Sequence, residues 1–329
     1  MVVLCLRNLK GMIISLNTSK MSAKKQILLY GAAFIAVFLW ASAFPGTRYA
    51  LHYYSPISLM ILRFVIASVT LGIVGIIKRI RLPKLRDIPL FIASGMSGIF
   101  LYSLLFTTGS ISVSAGVSSF IIAASPIFTM IFCRLFLKEI IRPICWIGAF
   151  ISFCGLAAVT LTQAAEFSLD LGLILIICAA VCSGVYSVIM RVLTKRYTAL
   201  EATTYTMIAG SIGTLLFLPA ALQEIPDSTL TVNLVVIFMG IFPAAVAYLT
   251  WSYALAKAKK TAHVTVFSYL IPFMSALIAF VWLGEILSTF ALIGGVVIIF
   301  GMILTNLFDK KPNEPVVNEL GESTKEESS

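Results

Sequence analysis

Arg63 is a lone cation inside an apolar run, residues 56–77, where Leu62 and Phe64 flank it. It lies about eight residues from the end of that run, roughly 12 Å along a helix rising 1.5 Å per residue. At that depth the side chain cannot easily snorkel back to water, and the guanidinium costs at least a few kcal/mol unless it is paired or faces a wet cavity. The chemistry it offers is capture of an anion, a carboxylate or phosphate on a bound solute. The competing reading is an arginine satisfied by helix-end carbonyls that serves the fold alone.

Trp40, Tyr102, Tyr186, Tyr248, Trp251 and Tyr269 also fall within apolar runs rather than all at their ends, so an interfacial aromatic belt does not account for the set. Buried hydroxyl and indole groups need partners, and in a cavity they bind amphipathic solutes by stacking and hydrogen bonding. Each one alone is more often packing; as a set, three or more are expected to line a pocket. Pro126 and Pro272 stand at the centres of two apolar runs, where a proline removes a backbone donor and kinks a helix. Such kinks suit gating, and a static packing bend is the alternative.

Other chemistry is poorly supplied. Only two histidines occur, His52 and His263, and Cys178 with Cys182 has no nearby nitrogen ligand, so no metal site is expected. There is no GxxxxGK[ST] loop for a built-in ATPase. Nor does any apolar run carry a His, Asp or Glu away from its ends to act as a base, Glu201 and His263 standing at the first and second positions of theirs. No catalytic residue and no cofactor are therefore expected.

The elements that must position these residues can be read from composition. Of 329 residues, 60% are hydrophobic and 12% charged, and the mean hydropathy is +1.02, which excludes a water-soluble enzyme. Ten apolar runs of membrane-spanning length lie near 27–46, 56–77, 88–107, 114–136, 143–162, 171–190, 201–221, 233–253, 262–283 and 288–308. The expected fold is all-α and integral to the membrane, with ten transmembrane helices. The cysteines sit mostly within these runs, as small hydrophobes rather than halves of disulfides.

A net charge of +10 does not point to nucleic acid, because the cations cluster between runs. Of the 24 Lys and Arg residues, 22 fall on one side in the N-terminal segment, alternate loops and tail; Arg48 falls on the other, and Arg63 is within a run. The positive-inside rule then places both termini in the cytoplasm. Residues 1–26 lack a small-residue cleavage site and do not read as a signal peptide; Met21 is an alternative start to Met1. The tail, 309–329, is rich in Pro, Asn, Glu and Ser, lacks aromatics, and is expected to be disordered. Short loops and abundant Lys and Ile suggest a bacterial inner membrane.

Aligned with itself at an offset of 146, the stretch 102–161 runs without a gap against 248–307. Tyr102 meets Tyr248, Pro126 meets Pro272, Glu139 meets Glu285, and Gly148 and Gly155 meet Gly294 and Gly301. At an offset of 143, Arg48 meets Arg191. With five runs in each half, an odd number, the second half enters the membrane in the opposite sense. The chain is thus expected to be two inverted five-helix repeats, an arrangement that places a transport site at the repeat interface near the midplane. The glycine pairs are read as close helix contacts, within the chain or at a dimer face. Glu139 and Glu285 are read as helix-end residues, with a gate salt bridge as the alternative.

Trp40–Phe44, Leu62-Arg63-Phe64, Tyr102–Phe106, Ser114–Val117, Ser125-Pro126, Leu137–Ile140, Tyr248–Leu255, Ile271-Pro272 and Leu283–Leu287 together resemble the drug/metabolite transporter superfamily, EamA type. The resemblance implies two EamA-like modules, 27–162 and 171–308. It also implies export or exchange of small metabolites, amino acids or amphipathic drugs by alternating access, without fixing a substrate. The family's four-helix multidrug exporters carry a membrane-embedded glutamate in their first span for proton exchange, and here the only glutamate in a run is Glu201, at the end of its run. The expected substrate-binding set is Arg63, Tyr102, Tyr248, Trp251, Trp40 and Tyr269, with gating kinks at Pro126 and Pro272. Expected partners are a small-molecule solute and the lipid bilayer, with the chain a monomer or homodimer. The alternatives are a membrane-embedded enzyme such as an acyltransferase, and a sensor or scaffold subunit without transport.

Overall fold

The computed structural model describes residues 2–113, 118, 121–160, 171–283 and 289–307; these are helix and turn, with no strand among them. Helix α1 runs Val2–Ala50 and α2 Pro56–Ile77. A 3-10 turn, Leu85–Asp87, leads into a composite rod: α3 (Ile88–Gly95), a π-helical segment (Met96–Leu101) and α4 (Tyr102–Gly109). Then come α5 (Ser125–Phe136), α6 (Pro143–Thr160) and α7 (Leu171–Leu193). Helices α8 (Ala199–Thr214) and α9 (Leu218–Gln223) are joined by a 3-10 turn. Next is a second composite rod: α10 (Leu230–Met239), a π-helical segment (Gly240–Val246) and α11 (Ala247–Lys257). Last are α12 (Ala262–Thr265), a 3-10 turn (Val266–Tyr269), α13 (Leu270–Leu283) and α14 (Thr289–Leu307).

Among the described residues, six segments are long and apolar enough to cross a membrane: Lys25–Thr47, Pro56–Ile77, Leu85–Gly109, Leu171–Leu193, Ala199–Gln223 and Leu230–Lys257. Four apolar helices are shorter: Ser125–Phe136, Pro143–Ala157, Ala262–Ile278 and Leu292–Asn306. All ten apolar runs thus contain helix. Ser114–Val117, Glu285 and the tail 309–329 lie outside the described residues, as does the side chain of Arg48.

Local chemistry fixes the helix ends. Ser55 caps α2 by accepting from the Ser58 N–H, with Pro56 in the first turn, where its missing donor costs nothing. Thr198 and Glu201 form a reciprocal capping box at α8. Helix α2 ends with Arg79 left-handed at φ 50°, while the Arg79 and Ile80 N–H groups return to the Ile76 and Gly75 carbonyls. That is a Schellman closure with arginine where glycine is usual.

Most strong packing crosses between the halves. Helix α1 packs on α11 and α13, and α7 packs on α4 and α5; α2 lies against α8 and the second π segment, and α8 against α3. The tightest crossing is α6 on α14. There a Cβ on Gly148 would sit 2.6 Å from the Gly301 carbonyl, and one on Gly155 would sit 2.8 Å from the Gly294 carbonyl. Only glycine lets these backbones meet, so the four repeat-related glycines form a contact within the chain.

Loops 78–86, 134–142, 191–196 and 257–260 gather at one end. Arg196 Nη1 pairs with Asp87 at 2.5 Å, and the Tyr197 hydroxyl donates to Asp87 at 2.8 Å. The Arg81 N–H donates to Glu201 at 3.1 Å. At the opposite end the Glu224 carboxylate accepts the Ser55 N–H (2.8 Å) and the hydroxyls of Ser55 (2.9 Å) and Ser58 (2.7 Å).

The reading of Pro126 as a kink within a continuous helix needs correction. Pro126 stands in the first turn of α5, after a turn at 123–124, and Pro272 is the third residue of α13, directly after a 3-10 turn. Pro126 thus begins an α-helical segment, where the N–H it lacks would have had little to bond to. The path at Pro126 is interrupted by that turn, whereas Ala262–Ile278 remains one helix that tightens to 3-10 pitch just before Pro272.

Candidate functional site

Arg63 projects from α2 to where the two composite rods change pitch. Both Tyr102 and Tyr248 are within electrostatic reach of its guanidinium. Tyr102 is the first residue after one π segment and Tyr248 the second after the other. A π turn adds a residue to the helical repeat and rotates the turn after it, so each rod re-aims its tyrosine just past the bulge. Arg63 Nε is shut off from solvent and has no hydrogen-bond partner among the described residues. A guanidinium so placed attracts a negative group, and the phenols beside it can only soften that demand.

Tyr248 is the hub of the aromatic wall. Its ring lies 5.4 Å from Trp40 in an edge-on contact, 5.8 Å from Tyr186 and 6.5 Å from Phe64, measured between centroids. Trp40 in turn lies 5.1 Å from Trp251. Trp40 and Phe64 come from α1 and α2 in the first half, while Tyr186, Tyr248 and Trp251 come from α7 and α11 in the second. The wall is therefore built across the junction of the halves, with ring edges meeting ring faces as quadrupoles prefer. The Tyr248 hydroxyl donates to the Gly98 carbonyl at 3.4 Å, inside the first π segment.

The family model for EamA-like transporters matches the chain twice, over residues 27–161 and 170–307. The chain belongs to the EamA-like transporter family. Among relatives of this EamA protein is "Uncharacterized transporter YdfC" of Bacillus subtilis, 32% identical over 88% of this chain and 95% of the relative. Another is "Probable terminal-alkyne amino-acid exporter" of Streptantibioticus cattleyicolor, 33% identical over 84% of this chain and 92% of the relative. One crystal structure matches with a TM-score of 0.71 at 21% identity, over 84% of this chain and 96% of that one, a likeness of fold. The EamA chain is thus an integral membrane protein of a transporter family.

Of the residues singled out from sequence, the EamA fold brings Arg63, Tyr102, Tyr248, Trp40 and Trp251 into one connected cluster. Tyr269 is elsewhere. It is fully buried, and its ring contact is with Phe153 of α6, 6.4 Å away, so it packs beside the α6–α14 crossing instead of the Arg63 wall. Phe64 and Gly98 join the cluster although their residue types alone do not mark them as site residues. A Cβ on Gly98 would lie 2.1 Å from Tyr186 Cδ2 and 2.8 Å from Tyr186 Cβ, so the glycine is what lets Tyr186 lie against the first π segment. Nothing in a glycine's own sequence context announces that; only the pitch change makes it legible.

A second polar cluster lies at the cation-rich end. Arg191 donates to the carbonyls of Leu255, Ala258 (2.6 Å) and Lys259 (3.1 Å), and its Nε lies 3.5 Å from Glu139. Glu139 also accepts from the Thr261 N–H and hydroxyl, both at 3.0 Å. Glu139 belongs to the first half; Arg191 and the 255–261 segment belong to the second. The pair thus ties the halves together. Among the described residues no group of His, Cys, Asp and Glu could hold a metal.

Proposed function

We propose that the chain is a secondary transporter that exports or exchanges a small carboxylate-bearing, amino-acid-like solute across a bacterial inner membrane. The solute's carboxylate is held by Arg63, and its side chain lies against Trp40, Tyr102, Tyr248 and Trp251. The observation that carries this reading is the placement of the Arg63 guanidinium, its Nε closed to solvent, among aromatics contributed by both halves of the chain. The amino-acid exporter among the relatives supports the solute class.

In this reading ten helices form two inverted five-helix repeats, 27–162 and 171–308, with both termini cytoplasmic. The paired π segments before Tyr102 and Tyr248, the irregular turns just before Pro126 and Pro272, and the reciprocal packing of α1 and α7 on the opposite half support the repeat. Gathering of the cation-rich loops at one end supports the orientation. Alternating access then means rocking of the halves about the α6–α14 crossing, with the turn before Pro126 and the 3-10 stretch before Pro272 as hinges. Glu139 and Arg191 hold the cytoplasmic end shut. The solute's carboxylate neutralises Arg63 and offsets part of the cost of burying it.

Metabolite profiling of cells and medium tests this, comparing the natural chain with Arg63→Ala at matched membrane expression. A solute displaced by the natural chain and not by the variant is the expected result. A solute displaced equally by both removes Arg63 from the site, and no difference from empty membranes would overturn transport of cellular metabolites.

A further inference from the structure

Between the last turn of α5 and the first turns of α6 lies a cavity of about 600 Å³ lined by Arg134, Ile140, Ile141, Arg142, Pro143, Trp146 and Ile147. It belongs neither to the Arg63 cluster nor to the Arg191 tie. Its walls divide by chemistry. Arg134 and Arg142 supply two guanidiniums, with the Trp146 indole beside them, while Ile140 and Ile147 are 72% and 50% exposed. One turn beyond Ile147 on the same face, Phe150 is 64% exposed. An apolar track therefore runs from the cationic mouth along α6 toward the hydrocarbon core.

The repeat does not require these charges. At the 146-residue offset Arg134 corresponds to Phe280, Arg142 to Ser288 and Trp146 to Leu292. The pocket is thus a feature of the first half alone, at the end of the bundle where the cations gather. Two guanidiniums at headgroup depth match a phosphate, an indole N–H suits the same interfacial level, and the volume falls in the range of small-molecule sites. Basic pockets between membrane helices are where anionic headgroups dock.

We propose that this pocket is a binding site for an anionic phospholipid, its phosphate held by Arg134 and Arg142 and one acyl chain lying along Ile147 and Phe150. Because the charges occur in one half only, the lipid is drawn from a single leaflet and does not take part in the exchange at Arg63.

The test is native mass spectrometry of the full chain with phosphatidylglycerol or phosphatidylcholine of identical acyl chains. Retention of phosphatidylglycerol several-fold above phosphatidylcholine is expected. It should fall to the phosphatidylcholine level in Arg134→Gln/Arg142→Gln but survive in Arg134→Lys/Arg142→Lys and in Lys78→Gln/Lys84→Gln. Inorganic phosphate should not displace the lipid. Equal retention by the double Gln variant, or equal loss in the Lys78/Lys84 variant, overturns the site. If the double Gln variant does not fold, brominated phosphatidylglycerol decides on folded protein. It should quench tryptophan emission in the natural chain more than in Trp146→Phe, and equal quenching would refute the proposal.

Discussion

Ser152 donates its hydroxyl to the carbonyl of Ile298 at 3.1 Å, and Ile298 is the residue 146 positions further along, the counterpart of Ser152 in the internal repeat. Gly148 likewise meets Gly301, the counterpart of Gly155, and Gly155 meets Gly294, the counterpart of Gly148. Contacts that exchange i with its counterpart in this way are what a two-fold relation between halves demands. On the inverted-repeat reading, the axis passes through the α6–α14 crossing beside Ser152.

The crossing should be sensitive to bulk. Gly148→Leu and Gly301→Leu are each expected to lower stability by at least about 1–3 kcal/mol through overpacking, read by unfolding in mixed SDS–detergent micelles. Gly72→Leu, where an added Cβ meets nothing within 4 Å, should be neutral or mildly stabilising because leucine is the better helix former. Equal losses at all three positions would mean that the crossing is not the tight contact.

How much of this is legible in the sequence depends on period and on pitch. The apolar runs, Arg63 and the tyrosine pair are readable because runs of that length and a cation within one stand out against composition. Pro126 misleads, because a sequence shows a proline inside an apolar run and does not show that the chain turns just before it. The π segments are invisible, since 96–101 and 240–246 are as apolar and periodic as their neighbours. Tyr269 groups with the site by residue type, and the 3-10 turn that carries it sends it to Phe153 instead.

Gly98 offers a test of the π segment's role. Gly98→Ala pushes a methyl into Tyr186 and so displaces the ring that rests on Tyr248. On the transport reading it should weaken apparent solute affinity, with less effect on the amount of folded protein in the membrane. Unaltered transport kinetics in Gly98→Ala would separate the aromatic wall from the solute.

The Arg191 tie should fail asymmetrically. Arg191→Ala leaves the Leu255, Ala258 and Lys259 carbonyls without their donor and Glu139 without its cation, so about 3–5 kcal/mol of stability should go. Glu139→Gln keeps an acceptor for the Thr261 N–H, and about 1.5–3 kcal/mol is expected, the range for hydrogen bonds to charged groups. Unfolding titrations of the two variants side by side check the order; a larger loss in Glu139→Gln would show that the carboxylate, not the guanidinium, organises the tie.

Glu224 carries a pH dependence at the other end. Burial pushes its carboxyl up, but the Ser55 N–H and the Ser58 and Ser55 hydroxyls outweigh that and hold it below the usual glutamate value. A folded-state pKa lowered in this way contributes stability that is full above the unfolded value, about 4.3, and is lost as pH falls through the folded one. The thermal midpoint of the natural chain should therefore exceed that of Glu224→Gln at pH 6 and converge on it as the buffer is taken below about pH 4. A gap that stays constant across that window would mean that Glu224 holds Ser55 and Ser58 equally well when protonated, and that the charge contributes nothing to the join between α2 and α9.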